Sequence, residues 1–224
     1  LLFPYYAVLK LRNKFYSSSR RKPALTAVPS LCVGPADLSL YEMVSAYNTF
    51  PSKGVYVTPQ FVTRIEDNMG NVLGEFTNRR KEAISEQTAY LMVNLMEGVI
   101  NNGTGARLRA KYGLKGEIAG KTGTTNDNAD GWFIGYTPTI TAGIWVGAED
   151  RQVHFQSLAL GSGSNMALPI WGLFMKKVLA DGTLGISESD RFVAPAGMTV
   201  DLSCSGGDED TNAGAGSETD YYFD

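Results

Sequence analysis

The residues of this chain whose types and spacing best suit chemistry lie in one short run near its middle. The run is Gly120-Lys121-Thr122-Gly123-Thr124-Thr125, which combines one ammonium group, three hydroxyls and two glycines. A lysine among hydroxyl residues can bind an anionic group such as a phosphate or a carboxylate. The glycines allow a ligand to approach the main chain closely. Two unrelated kinds of site use such residues, and the flanking sequence discriminates between them.

The first candidate is a nucleotide-binding phosphate loop of the pattern G-x-x-x-x-G-K-[ST]. Gly120-Lys121-Thr122 supplies the end of this pattern, but position 115, where the first glycine is due, holds Lys115. Gly116 leaves the loop one residue short. A phosphate loop also opens a helix, whereas residues 126–130 are typical of a turn that precedes an aromatic strand. Both conditions fail, so an NTPase ranks behind the second candidate.

The second candidate is the Lys-Thr-Gly triplet of the serine acyl-enzymes that handle penicillins. A peptide can lie along the free edge of such a strand and pair main chain to main chain. Lys121 then supplies a positive field near a nucleophile and a carboxylate, and the hydroxyls of Thr122 and Thr124 donate hydrogen bonds to that carboxylate. A backbone N–H of the strand can complete an oxyanion hole, where one donor contributes roughly 3–4 kcal/mol.

The elements around this run predict an α+β protein, because helices and antiparallel strands occur without β-α-β alternation. A capping box at Ser39-Leu40-Tyr41-Glu42 predicts one helix start, and Ser85 predicts a second helix that ends at Asn101-Asn102-Gly103. A third helix is predicted over residues 165–180. The predicted strands are 117–124, 131–136 and 140–146, the last two joined as a hairpin. An earlier hairpin joins an extended run over 55–65 to a return strand at Val72-Leu73.

Composition bounds the class of protein further. The 224 residues are 43% hydrophobic and 19% charged with a formal net charge of −3, so the chain can bury a core and is not a nucleic-acid binder by charge. The charge is uneven: residues 1–22 are basic and residues 206–224 are acidic. No apolar run reaches the length of about 18 residues that a membrane span needs. Cys32 and Cys204 do not have metal-ligand spacing, and we interpret both as free thiols.

The wider sequence makes the second candidate specific. Three runs closely resemble the C-terminal half of the transpeptidase domain of class A (bifunctional) penicillin-binding proteins: Ala119-Gly120-Lys121-Thr122-Gly123-Thr124-Thr125-Asn126-Asp127, Asp130-Gly131-Trp132-Phe133-Ile134-Gly135-Tyr136-Thr137-Pro138 and Ile144-Trp145-Val146-Gly147. Further stretches resemble the family in the same order: Val28-Pro29-Ser30-Leu31-Cys32-Val33-Gly34, Tyr41-Glu42-Met43, Ala46-Tyr47-Asn48-Thr49-Phe50, Gly103-Thr104-Gly105 and Ala167-Leu168-Pro169-Ile170-Trp171. The resemblance covers residues 28–201.

The resemblance implies a partial penicillin-binding-protein or serine β-lactamase-like transpeptidase fold, an antiparallel sheet with flanking helices. It implies peptidoglycan cross-linking, in which a serine attacks the D-Ala-D-Ala carbonyl of a stem peptide, releases D-Ala and passes the acyl group to a neighbouring amine, with no cofactor or metal. β-Lactams mimic this substrate and trap the serine. Lys121, Thr122 and Gly123 would be the substrate-binding third motif. Thr124 would add an oxyanion-hole N–H and a carboxylate contact.

The family has two further motifs, S-x-x-K, which carries the nucleophile, and S-x-N. The sole S-x-x-K before Lys121 is Ser19-Arg20-Arg21-Lys22, which we interpret as a coincidental match in a basic arm, and no S-x-N precedes Lys121. We therefore expect a catalytically incomplete piece of a longer parent, without the first strands and the nucleophile helix. The parent would be anchored at the extracytoplasmic (periplasmic) face of the bacterial cytoplasmic membrane.

The expected organisation has three parts: an atypical basic lead-in over residues 1–27, the C-terminal part of the transpeptidase domain over 28–205, and an acidic, Gly-rich disordered tail over 206–224. Without the first strands of the sheet, the strand over 140–146 would present an open apolar edge, which invites aggregation. The alternative function is a non-catalytic module that binds peptidoglycan or a partner protein.

Overall fold

A computed structural model of the chain describes residues 38–198 together with residues 200 and 202. The helices are α1 (Leu40–Tyr47), α2 (Glu86–Asn101), α3 (Arg107–Ala110), α4 (Leu158–Gly161) and α5 (Ala167–Ala180). The strands are β1 (Val55–Val57), β2 (Arg64–Glu66), β3 (Val72–Glu75), β4 (Arg80–Glu82), β5 (Ala119–Thr124), β6 (Asp130–Tyr136) and β7 (Thr141–Gly147). The predicted segments 1–27 and 206–224, with Ser19, Cys32 and Cys204, lie outside the described residues. Of the described helices, none combines the length and the apolar character needed to cross a bilayer.

The chemistry-bearing run forms β5 of an antiparallel sheet in the order β5-β6-β7. Lys121 pairs with Ile134 of β6, and Ile134 pairs with Gly143 of β7. β6 lies in the middle and is mostly buried, since it has a strand on each side and helices on both faces. Within the described residues, β5 and β7 are therefore the two edges of this sheet, and the expected unpaired edge at residues 140–146 is found on β7.

Helices α1 and α2 cover one face of the sheet. Tyr47, Phe50, Met92 and Met96 pack with Tyr136 of β6, which is fully buried. The Tyr136 hydroxyl donates to the Met96 sulfur at 3.7 Å, and its ring stacks on Phe50 with 6.4 Å between centroids. This face of the sheet is consequently fixed against the longest helix of the described chain.

Helix α5 covers the opposite face, around a buried tryptophan. The Trp171 indole lies edge-on to the Phe133 ring with 5.3 Å between centroids, and its N–H donates to the carbonyl of Ala142 at 3.1 Å. Gly135 provides the room for this packing, because a Cβ at that position would lie 2.7 Å from the indole. The tryptophan thereby connects α5 to β6 and β7 at once.

The predicted helix starts are confirmed. The Ser39 hydroxyl accepts from the Glu42 amide at 3.3 Å, while the Glu42 carboxylate accepts from the Ser39 amide at 2.9 Å, which is the reciprocal arrangement of a capping box. Ser85 caps α2 by accepting from the Thr88 amide at 3.2 Å. Helix α2 ends at Asn101, where the Asn-Asn-Gly sequence predicts its end.

The predicted hairpin with a return strand at Val72 is confirmed, but the predicted strand over residues 55–65 was wrong in its extent. β1 covers only Val55–Val57 and pairs with β4, whereas a separate hairpin joins β2 to β3. Pro59 follows β1 and has no N–H for a continued ladder, which accounts for the break. The predicted turn between β2 and β3 is confirmed, since the Asp67 carboxylate accepts from the amides of Met69 and Asn71, each at 2.8 Å.

A segment after α5, which we call the C-terminal strap (residues 186–192), holds the approach to β5. The Glu117 carboxylate accepts from the Phe192 amide and lies 3.6 Å from the Arg191 guanidinium. The Glu188 carboxylate accepts from the Lys115 amide at 3.1 Å. These bonds fix the residues that lead into β5.

Helix α2 carries a half-buried acid, Glu97, that interacts with Glu117. Burial raises the pKa of Glu97 to about 7, and the nearby Glu117 carboxylate adds to the rise while Arg109 opposes it. The pKa of Glu97 is thus higher in the folded state than in the unfolded state, so folding favours the protonated carboxyl. The contribution of Glu97 to stability is fully present below pH 4.5 and is lost as the pH rises through about 7.

We therefore expect Glu97→Gln to flatten the pH dependence of stability between about pH 4.5 and pH 7. At pH 8 the variant should be more stable by roughly 1 kcal/mol, a value reduced for solvent screening of a half-exposed group. Urea denaturation across this pH range measures the effect. Glu149→Gln, at an exposed acid after β7, is the matched control, and an equal change in both variants would contradict the assignment.

A pair of glycine substitutions tests the packing of Trp171. Gly135→Ala should destabilise the protein by about 1–3 kcal/mol, because the new methyl group overlaps the indole. Gly98→Ala adds the same group on α2 with nothing within 4 Å, so it should be neutral or stabilising by up to about 1 kcal/mol. The urea midpoints of the two variants at an unchanged m-value give the comparison. Equal midpoints would be inconsistent with the described contact.

Candidate active site

The predicted site residues Lys121, Thr122, Gly123 and Thr124 all lie on β5. Because β5 pairs only with β6 among the described residues, its other side is an open strand edge beside these four residues. The strand is buried at Ala119 and becomes progressively more exposed towards Thr124. Gly120, Lys121 and Thr122 therefore lie inside a strand, whereas the same residues of a phosphate loop would precede a helix. This agrees with the rejection of the phosphate loop from the sequence.

Strand alternation places the lysine and the threonines on different faces of the sheet. Lys121 pairs with Ile134, which belongs to the core under α1 and α2. Thr122 pairs with Phe133, which belongs to the core under α5, and Thr124 shares the Thr122 face. A ligand that follows the open edge would meet the ammonium on one flank and the hydroxyls on the other.

The Lys121 ammonium is held against its own strand. It donates to the carbonyl oxygen of Thr122 at 2.7 Å. Burial lowers the pKa of Lys121, and the ion pairs of the described residues do not include this lysine. The site thus contains a partly desolvated positive charge that a bound anion can neutralise.

Each threonine hydroxyl of β5 has a partner from a distant part of the chain. The Thr122 hydroxyl lies 2.8 Å from that of Thr104, which follows α2. The Thr124 hydroxyl accepts from the amide of Gly163 at 3.0 Å. Both hydroxyls are consequently held in place before any ligand arrives.

The loop that contains Gly163 lies directly on the backbone of β5 and β6. A Cβ at Gly163 would lie 2.2 Å from the Gly123 carbonyl oxygen and 2.5 Å from that of Trp132, so no larger residue fits without a shift of the backbone. The Arg107 guanidinium donates to the Asn165 side chain at 2.6 Å, which connects this loop to α3. The loop is thereby fixed from two directions.

The turn that follows β5 is also constrained. Asp127 and Asn128 adopt left-handed conformations, with φ of 61° and 55°. The Thr125 hydroxyl accepts from the Asp130 amide at 3.1 Å and the Trp145 indole donates to the Asp130 carboxylate at 3.2 Å. Among the described residues, no cluster of histidine, cysteine or acidic residues that could hold a metal ion is found.

Sequence reasoning identified the strand residues but assigned no role to Thr104 or Gly163. Thr104 entered only through the resemblance of Gly103-Thr104-Gly105 to the family, and Gly163 lies in a run of small residues without a distinctive pattern. The available signal was a hydroxyl residue between two glycines directly after a helix end. Nothing local shows that this hydroxyl meets a strand that begins more than a dozen residues later.

Comparison with known proteins places this geometry in context. The sequence model of a protein family, described as the penicillin binding protein transpeptidase domain, matches residues 14–159. Penicillin-binding protein 1A of Aquifex aeolicus is 34% identical over 149 residues, which cover 66% of this chain and 20% of that protein. Penicillin-binding protein 1A of Clostridium acetobutylicum is 36% identical over 157 residues, which cover 70% of this chain and 18% of that protein. The chain therefore spans about a fifth of the length of the curated relatives it matches.

A solved structure supports the same assignment. The penicillin-binding protein PonA1 from Mycobacterium tuberculosis superimposes with a TM-score of 0.60 at 26% identity, over 73% of this chain and 43% of that chain. The predicted partial transpeptidase fold, an antiparallel sheet with flanking helices, is confirmed by this likeness. With the match to more than half of its residues, the chain belongs to the penicillin-binding protein transpeptidase domain family.

Proposed function

We propose that this chain provides the substrate-binding strand of a peptidoglycan D,D-transpeptidase, as part of a longer protein. The observation that carries the proposal is the open edge of β5, where two pre-positioned hydroxyls flank a glycine next to a partly desolvated ammonium. This set of groups suits an extended peptide that ends in a carboxylate. Membership of the penicillin-binding protein family supports the same conclusion.

The proposed substrate is the D-Ala-D-Ala end of a stem peptide, which extends β5 by main-chain pairing. Gly123 lets the peptide approach the strand, since it adds no side chain at the edge. The hydroxyls of Thr122 and Thr124 donate to the terminal carboxylate, and the Lys121 charge favours the anion. β-Lactams carry a carboxylate beside a reactive amide and would bind in the same way.

The proposed reaction is acyl transfer through a serine ester. A serine oxygen attacks the penultimate carbonyl carbon, the peptide bond breaks, and the terminal D-Ala leaves as an amine that has gained a proton. An amine of a second stem then displaces the serine. The Thr124 N–H would stabilise the negative oxygen of the tetrahedral intermediate. The nucleophilic serine is not assigned to a described residue, and Ser19 lies outside them.

The proposed setting is the outer face of the bacterial cytoplasmic membrane, where peptidoglycan is cross-linked. A non-catalytic module that holds stem peptides is the alternative, and it would use the same strand without forming an ester. The two functions differ in covalent chemistry but share the carboxylate site. Binding and acylation are consequently tested by separate measurements.

The binding part predicts that the full chain prefers a diacetyl-L-Lys-D-Ala-D-Ala peptide to the same peptide with a C-terminal amide. Lys121→Met should weaken binding of the acid about five- to tenfold, the equivalent of about 1 kcal/mol for a charge-assisted contact. Titration followed by NMR measures both peptides. Lys115→Met is the matched control at an exposed lysine that precedes β5 in the chain. Equal affinity for the acid and the amide would contradict the proposed carboxylate site.

The acylation part is tested by exposing the purified chain to a fluorescent penicillin and mapping any adduct by mass spectrometry. If the chain is catalytically incomplete, as expected from its motifs, it binds the peptide but forms no stable adduct. An adduct at Ser19 that Ser19→Ala abolishes would instead assign the nucleophile to this chain. Such a result would show that the basic arm takes part in the chemistry.

A further inference from the structure

The turn after α2 holds Thr104 between two glycines that contact the end of the helix. The amides of Gly103 and Gly105 both donate to the carbonyl of Val99, at 3.2 Å and 2.9 Å. A Cβ at Gly103 would lie 2.9 Å from the Val99 Cα, and one at Gly105 would lie 2.6 Å from a methyl group of Ile100. Thr104 therefore stands between two glycines that pack closely against the last turn of α2.

The hydrogen bonds of the two β5 threonines determine which hydroxyl protons are available to a ligand. A threonine hydroxyl has one proton to donate and lone pairs to accept with. Thr124 accepts from the Gly163 N–H, so its own proton remains available to a ligand. The bond between Thr122 and Thr104 at 2.8 Å can run in either direction, because each atom can be the donor.

A bound carboxylate decides that direction. An ionised carboxylate only accepts hydrogen bonds, so it binds Thr122 only when the Thr122 proton points towards the ligand. Thr104 must then be the donor to the Thr122 oxygen. Donation in this sense also strengthens the outgoing bond, since hydrogen bonds in a chain polarise one another.

We propose that Thr104 is a positioning residue for the carboxylate site: its hydroxyl donates to Thr122 and so directs the Thr122 proton to the terminal carboxylate of the acyl substrate. Thr104 acts through Thr122 and makes no contact with the ligand itself. The inference rests on the proposed function, because it assigns a new member to the same carboxylate site.

The test is a double-mutant cycle on the full chain, with diacetyl-L-Lys-D-Ala-D-Ala and its C-terminal amide as probes. Thr104→Val preserves the shape of the side chain and removes the donor, so it should weaken binding of the acid three- to fivefold and leave the amide unchanged. Thr104→Ser restores the hydroxyl and should bind within twofold of the wild type. In a Thr122→Val background, Thr104→Val should have no further effect.

Two controls separate this role from a structural one. Thr88→Val removes an equally exposed hydroxyl pair, that of Thr88 and Ser85 at 2.8 Å on the first turn of α2, and should not change peptide binding. The thermal midpoints of the Thr104 variants should match that of the wild type. A loss in Thr104→Val that persists in the Thr122→Val background, or that Thr104→Ser fails to reverse, would overturn the proposal.

The outcomes also separate this proposal from the proposed function. If the wild-type chain does not distinguish the acid from the amide, the carboxylate site itself is wrong and the role of Thr104 is overturned with it. If the wild type prefers the acid and Thr104→Val keeps that preference in full, only the role of Thr104 is overturned.

Discussion

The pairing of β6 with β5 is the interaction on which the rest of the structure depends. β6 supplies side chains to the cores on both faces of the sheet, Ile134 and Tyr136 to one and Phe133 to the other. The same strand fixes the register of Lys121 and the two threonines that follow it. A slip of one residue would exchange the faces, because side chains alternate along a strand. The register thus determines both the core and the placement of the charged and hydroxyl groups.

Three segments that are distant in sequence converge on β5 and give it a defined position. The turn after α2 reaches Thr122, the loop before α5 reaches Thr124, and the C-terminal strap holds the residues that lead into the strand. Only the open edge is left to a ligand within the described residues. An edge strand normally invites pairing with any other chain. Here the edge is flanked by a partly desolvated ammonium and two hydroxyls, which under the proposed function select an anionic peptide.

Local signals in the sequence were sufficient for the main helices and for the site strand. The capping box at Ser39 and the cap at Ser85 act within four residues, so they could be recognised without the fold. The pairing of β1 with β4 and the meeting of Thr104 with Thr122 were not predicted. Both depend on contacts across 18 residues or more, which only the packed structure defines. The short helices α3 and α4 were missed for a related reason, since four residues carry too little periodicity to be seen.

The glycines of the central sheet have a consequence for the placement of the candidate site. β5, β6 and β7 each contain two glycines, at positions 120 and 123, 131 and 135, and 143 and 147. A glycine within a strand is destabilising by roughly 0.5–1 kcal/mol relative to alanine, so this sheet has little tendency to form alone. Packing against α2 and α5 on the two faces supplies the side-chain burial that these glycines lack. The placement of the candidate site therefore depends on the helices that cover the sheet, because β5 contributes little side-chain burial of its own.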